Sequence, residues 1–122
     1  MIKLAKAGNA AETDTALGAN GYTRHFKSEF ARNGIILYSL VGDGTAFSAQ
    51  TVTLEVSYDG GTTFVNYAAK NAAGTVADVT YTAACNDCVY GPGQTFRFHC
   101  SNGGTPDIDI LVGGDVVLLP KT

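Results

Sequence analysis

The sequence predicts an all-β protein: an antiparallel two-sheet β-sandwich of jelly-roll or Greek-key type, with an extended N-terminal arm. Three observations carry this. Apolar and polar residues alternate at a period of two in run after run, as half-buried strands require. The runs are separated by Gly-Asp-Gly, Asp-Gly-Gly, Gly-Pro-Gly, Asn-Gly-Gly and Gly-Gly. Glycine supplies the positive φ of tight turns, which accounts for many of the fifteen glycines. No window of about ten residues sustains the 3.6-residue period of an amphipathic helix.

Residues 1–22 are small and weakly patterned, with one apolar alternation at Ile2 and Leu4, and read as an arm or a loosely attached edge strand. Residues 23–122 then form one β-sandwich domain of about seven or eight short strands. In "HFKSEFA", Phe26, Ser28 and Phe30 share one side and Lys27 and Glu29 the other. "GIILYSLVG" is continuously apolar with Gly at both ends, the pattern of a strand buried on both faces. "TVTLEVSY" directs Val52, Leu54, Val56 and Tyr58 inward and Thr53, Glu55 and Ser57 outward, with "TTFVNYAA" as its partner. Residues 76–82 offer another strand. "QTFRFHCS" places Phe96, Phe98 and Cys100 on one face and Thr95, Arg97 and His99 on the other. "DIDILVGG" aims Ile108, Ile110 and Val112 inward, and "DVVLLP" closes the chain.

A net charge of −3 and no basic run argue against a nucleic-acid partner, whose binding surfaces cluster Lys and Arg. No apolar run approaches the roughly 20 residues of a membrane-spanning helix, and the opening residues lack the apolar centre of a secretory signal. The chain is therefore expected to be made in a cytoplasm, with no membrane partner. Only 16% of residues are charged, against about a quarter in ordinary domains, and 45% are hydrophobic. That balance points to a surface covered in part by another chain.

The octapeptide "SYDGGTTF", residues 57–64, resembles the Asp box of sialidase propeller blades. Asp59 capping backbone N–H groups, Gly61 permitting the bend and Phe64 packing beneath it make a hairpin turn without catalysis. A single copy in so short a chain fits a turn and not a propeller. Three cysteines make no closed disulfide framework. Cys85 and Cys88 flank a loop and Cys100 is a small core residue; a disulfide from Cys100 to either, or a zinc site using all three, stays open. Zinc would need a fourth ligand from elsewhere, because His99 and Cys100 are adjacent on a strand and face opposite ways. No cofactor is implied. Neither His25 nor His99 stands with a nucleophile and an orienting carboxylate, and no phosphate-cradling loop is present, so no enzyme emerges.

Two segments together resemble small virion proteins of tailed bacteriophages. The first is Val-x-Leu-Glu-Val-Ser-x-Asp-Gly-Gly-x-Thr-Phe at residues 52–64. The second is Gln-Thr-Phe-Arg-Phe, then Ser-Asn-Gly-Gly-Thr-Pro-Asp-Ile-Asp-Ile-Leu-Val, within residues 94–112. Among such proteins the chain is most similar to capsid decoration, or cement, proteins. The resemblance implies a viral structural protein that binds the capsid exterior of the virion, with the major capsid protein as partner and a homotrimer as its own assembly. Contacts are expected from the arm (Ile2, Leu4) and from outward Arg97 and His99. Another phage role (tail, fibre or head-tail joining) and a carbohydrate- or ligand-binding module are the alternatives.

Overall fold

The computed structural model describes residues 2–5, 22–28, 34–42, 51–101 and 108–119. Among these there is no helix. The strands are β1 (Ile2–Ala5), β2 (Phe26–Ser28), β3 (Ile35–Gly42), β4 (Thr51–Ser57), β5 (Val65–Asn66) and β6 (Ala68–Lys70). They continue as β7 (Val76–Asp78), β8 (Thr80–Tyr81), β9 (Cys85–Tyr90), β10 (Thr95–Ser101), β11 (Ile108–Gly114) and β12 (Val116–Leu118).

Every described strand pair is antiparallel. One sheet has the order β1-β11-β3-β9; the other runs β12-β2-β10-β4-β5, with β8 also pairing β4. β6 and β7 form a separate two-stranded ribbon. The central ladders are long: β10 pairs β4 from Thr95↔Ser57 to Ser101↔Thr51, and β11 pairs β3 from Ile108↔Gly42 to Gly114↔Ile36. A slip of one residue in either would turn every buried side chain outward, so the alternating pattern fixes the register.

Both sheets feed one core. Ile36, Tyr38, Leu40, Val89, Ile110 and Val112 come from the first, and Phe26, Val52, Leu54, Val56, Phe96, Phe98 and Cys100 from the second. The Tyr38 and Phe98 rings meet edge-on across the layers, 5.3 Å between centroids. The Gly-Pro-Gly turn before β10 packs directly on the start of β3. A Cβ at Gly34 would lie 2.7 Å from Pro92 Cα, closer than any side chain tolerates, and Gly91 N–H donates to the Gly34 carbonyl at 3.0 Å.

Several expectations are met and several corrected. Phe26 and Ser28 are buried with Lys27 exposed, and Phe96, Phe98 and Cys100 are fully buried. β3, expected to be buried on both faces, is buried on one: Ile36, Tyr38 and Leu40 are inside, while Ile35, Leu37 and Val41 are about half exposed. Tyr58 is exposed because β4 ends at Ser57 and the turn carries it outward. Glu55, Ser57 and Thr95, expected on a solvated face, are covered by neighbours. The strand expected over residues 76–82 divides at Val79: β7 pairs β6, while β8 pairs β4. β5 likewise gives way to β6 at Tyr67, whose N–H donates to Leu54 O while its carbonyl accepts Val79 N–H. Of the arm expected over residues 1–22, Ile2–Ala5 is the edge strand β1, opposite β11 with Ile2 facing Val112 in register. Residues 6–21, like Phe30 and Glu29, lie outside the described residues.

The octapeptide is the β4–β5 turn. Ser57 Oγ donates to Asp59 Oδ1 at 2.6 Å and accepts Gly61 N–H at 2.9 Å. Asp59 Oδ1 accepts the N–H groups of Thr62 and Thr63 at 3.1 and 2.9 Å, and Gly60 and Gly61 take φ of 82° and 100°. The Ser57 hydroxyl first, and then Thr63, hold the Asp59 carboxyl down to about 2 from an ordinary 3.8. A depressed acid stabilises the fold fully above its unfolded pKa and loses that contribution as pH falls through the folded one. The Thr62 and Thr63 amide resonances should therefore titrate with a midpoint near 2 and lose this titration in Asp59→Ala. A midpoint near 4, the ordinary carboxylate value, would contradict the capped turn.

Candidate interaction surface

The outer face of the β1-β11-β3-β9 sheet is built by alternation. Opposite each buried residue of β3 stands Ile35, Leu37, Ser39 or Val41, and the register places Tyr90 beside Ile35, Cys88 beside Leu37 and Asn86 beside Ser39. On the other flank β11 contributes Asp109 beside Val41, Leu111 beside Ser39 and Gly113 beside Leu37. Ile35, Leu37, Val41 and Tyr90 are 46%, 45%, 45% and 61% exposed. With strands about 4.8 Å apart and about 3.4 Å per residue, a four-stranded face of this length covers on the order of 400 Å². Ile35, Leu37, Val41 and Tyr90 form its apolar part, interrupted by Ser39, Asn86 and Asp109, and this part is the candidate for contact with another molecule.

The outer face of the other sheet is different. Tyr22 bridges to His99, and the Thr23 hydroxyl accepts the Phe98 N–H at 2.9 Å. These bonds hold the Tyr22 ring over β10. Its ring stacks on His99, 4.5 Å between centroids at 14°, and the Arg97 guanidinium lies between Tyr22 at 4.0 Å and Phe64 at 4.1 Å. Arg97 Nε donates to Glu55 Oε1 at 2.6 Å, and His99 Nδ1 lies 3.7 Å from Glu55 Oε2. The cross-strand neighbours Arg97 and Glu55 thus form a largely desolvated ion pair flanked by two aromatic rings. Arg97 and His99 do face outward but are partly covered: Arg97 is ion-paired with Glu55, and His99 is stacked on Tyr22 with its buried Nε2 left without a hydrogen-bond partner among the described residues. They clamp β10 to β4 and to the β4–β5 turn.

The cysteines are free thiols. Cys85 and Cys88 both lie in β9, so no loop separates them. Cys85 stands opposite Leu40 of the core face and Cys88 opposite Leu37 of the outer face. Cys100 is in the core, on the face of β10 opposite His99, and burial pushes its thiol up to about 12. Burial also raises the Cys85 thiol. Thiols so raised are poor nucleophiles and poor metal ligands at neutral pH. Among the described residues no three His, Cys, Asp or Glu side chains gather as a metal site.

The structure therefore brings Arg97 and His99 together, leaves the three cysteines as free thiols, and sets Ile2 and Leu4 in the edge strand of the sheet that carries Ile35, Leu37 and Val41 on its outer face. The residues missed by sequence reasoning are Ile35, Leu37, Val41 and Tyr90. For the first three the signal was present in the unbroken apolar run of β3, whose second face the chain leaves half exposed. No known protein family, curated protein or solved structure matches the chain.

Proposed function

We propose that this chain is a structural adhesion protein of a tailed-phage virion, a decoration (cement) protein that binds the capsid exterior as a homotrimer. The observation that carries this reading is the apolar outer face of the β1-β11-β3-β9 sheet, with Ile35, Leu37, Val41 and Tyr90 left half exposed. Fully burying an aliphatic side chain stabilises by about 1.5–3 kcal/mol. Covering the exposed halves of these four would contribute a few kcal/mol per subunit toward self-association.

The strand orders support a jelly-roll connection. From β1 to β4, and again from β9 to β12, successive strands alternate between the two sheets. The pairing of β1-β11-β3-β9 with β2-β10-β4-β5 supports reading it as two Greek keys wrapped together, an architecture common among viral capsid domains. That likeness is one of fold and adds no activity by itself. In this reading the apolar face is the seam between copies, and the edge strand β1, with Ile2 and Leu4, meets the major capsid protein. Three weak contacts acting together hold the trimer on the shell. The effect is mechanical: added buried interface raises the heat or force needed to part capsomers.

The test is the mass of the free protein and its binding to purified expanded shells. A trimer that adds to shells at a fixed copy number per capsomer is expected. A strict monomer that leaves shells bare would remove the proposal, and a trimer present at a few copies per particle would transfer it to a tail, fibre or joining role.

A further inference from the structure

A cleft of about 450 Å³ opens between the β6–β7 ribbon and β9, within the range of small-molecule sites. β9 is the last strand of its sheet, so its outer edge forms one wall. Tyr38, Tyr67 and Tyr81 line the interior, Asp78 and Lys70 come from the ribbon, and Asp87 comes from β9. The acid at its centre is held in place. Tyr81 donates its hydroxyl to Asp87 Oδ2 at 2.9 Å, and the Cys88 N–H donates to Asp87 Oδ1 at 2.8 Å. Because Tyr81 spends its proton on Asp87, the Tyr38 hydroxyl, 2.5 Å away, donates to Tyr81. Burial raises both phenols above the ordinary tyrosine range, so the relay stays protonated at neutral pH.

A carboxylate has about four acceptor positions. Each Asp87 oxygen has one filled, which leaves two acceptors at a fixed spacing beside aromatic walls. Asp78 is oriented in the same way by Asn66, whose amide donates to its Oδ2 at 3.0 Å. Two carboxylates against one ammonium disfavour a phosphate or acidic ligand, and a cationic ligand is the competitor that the probes below separate from a neutral one. An open cleft in which carboxylates and an ammonium interrupt the aromatic walls suits a short polar ligand better than an acyl chain. A neutral ring with adjacent hydroxyls fits all of these constraints: the hydroxyls donate in pairs to the fixed acids, and the C–H face lies on tyrosine. We propose that this cleft binds a neutral mono- or disaccharide. The inference does not depend on shell binding.

The test is an amide chemical-shift titration of the intact protein with glucose, galactose, N-acetylglucosamine, maltose and lactose, with choline and a lysine-rich peptide as cationic probes. At least one sugar should produce saturable shifts confined to β7, β8 and β9. Asp87→Asn should weaken that binding about tenfold by removing a charged acceptor, and Tyr81→Phe should weaken it by releasing the acid while keeping the ring. If Asp87→Asn does not fold, the exposed Asp78→Asn serves in its place and should weaken binding in the same direction. Absence of saturable shifts with every sugar, sugar binding indifferent to these substitutions, or saturable binding of the cationic probes alone would each overturn the proposal.

Discussion

Phe98→Ala is expected to destabilise the protein by about 3–5 kcal/mol, the cost of emptying a large aromatic site in a closed core. Phe98 is fully buried, 5.6 Å from the Phe26 ring and 5.3 Å from the Tyr38 ring, centroid to centroid. The Tyr38 contact joins the two sheets, and the Phe26 contact anchors the ring within its own sheet. Its neighbours cannot collapse into the gap, because each belongs to a strand whose register is locked on both sides. Against a typical total of about 5–15 kcal/mol, the loss is a large fraction of the whole. Urea unfolding should show a lower midpoint with an unchanged slope. A loss below about 1 kcal/mol, the level of a surface change, would mean that the layers are not packed through this ring.

Arg97→Ala is the second large effect, and its cause is electrostatic. It strands the Glu55 carboxylate, whose side chain is only 10% exposed against 22% for Arg97. Removing one partner of a buried pair costs about 3–5 kcal/mol, most of it the penalty of leaving a charge desolvated and alone. The residual exposure and the nearby His99 imidazole place the expected loss at the low end, about 3 kcal/mol. Arg97→Lys should recover little, since an ammonium cannot lie flat between Tyr22 and Phe64 as a guanidinium does. The double change Arg97→Leu with Glu55→Leu separates the causes, because it removes both charges and keeps apolar bulk. It should be clearly more stable than Arg97→Ala alone. Equal instability in the two would assign the loss to packing instead.

The architecture was legible where one face of a strand meets the core and the other meets water. β10 and β11 show this: Phe96, Phe98, Cys100, Ile110 and Val112 are all fully buried, as their spacing requires. The Ser57–Phe64 turn was legible too, because its Ser, Asp and Gly residues form local bonds that need no distant partner. Legibility failed where burial is decided by something the strand itself does not contain. Glu55 and Ser57 read as solvated and are covered, one by Arg97 and its flanking rings and the other by its own turn. β9 escaped notice because Asp87 stands at an inward position and breaks the apolar alternation; a tyrosine hydroxyl from β8 satisfies it there. The half-exposed face of β3 was hidden for the same reason. Leu37 and Val41 carry an apolar signature, but nothing in that signature distinguishes a side chain of the core from one left at the surface.

Sedimentation equilibrium of the wild type beside Leu37→Glu is the most direct test of adhesion through the β1-β11-β3-β9 face. Leu37 is 45% exposed in the isolated chain, so a carboxylate there should leave the subunit folded while desolvating a charge in any seam. The wild type should run at three times the 12.7 kDa chain mass, and the variant at the chain mass with an unchanged far-ultraviolet spectrum. A wild type that stays monomeric at every concentration, or a variant that assembles as the wild type does, would contradict the account.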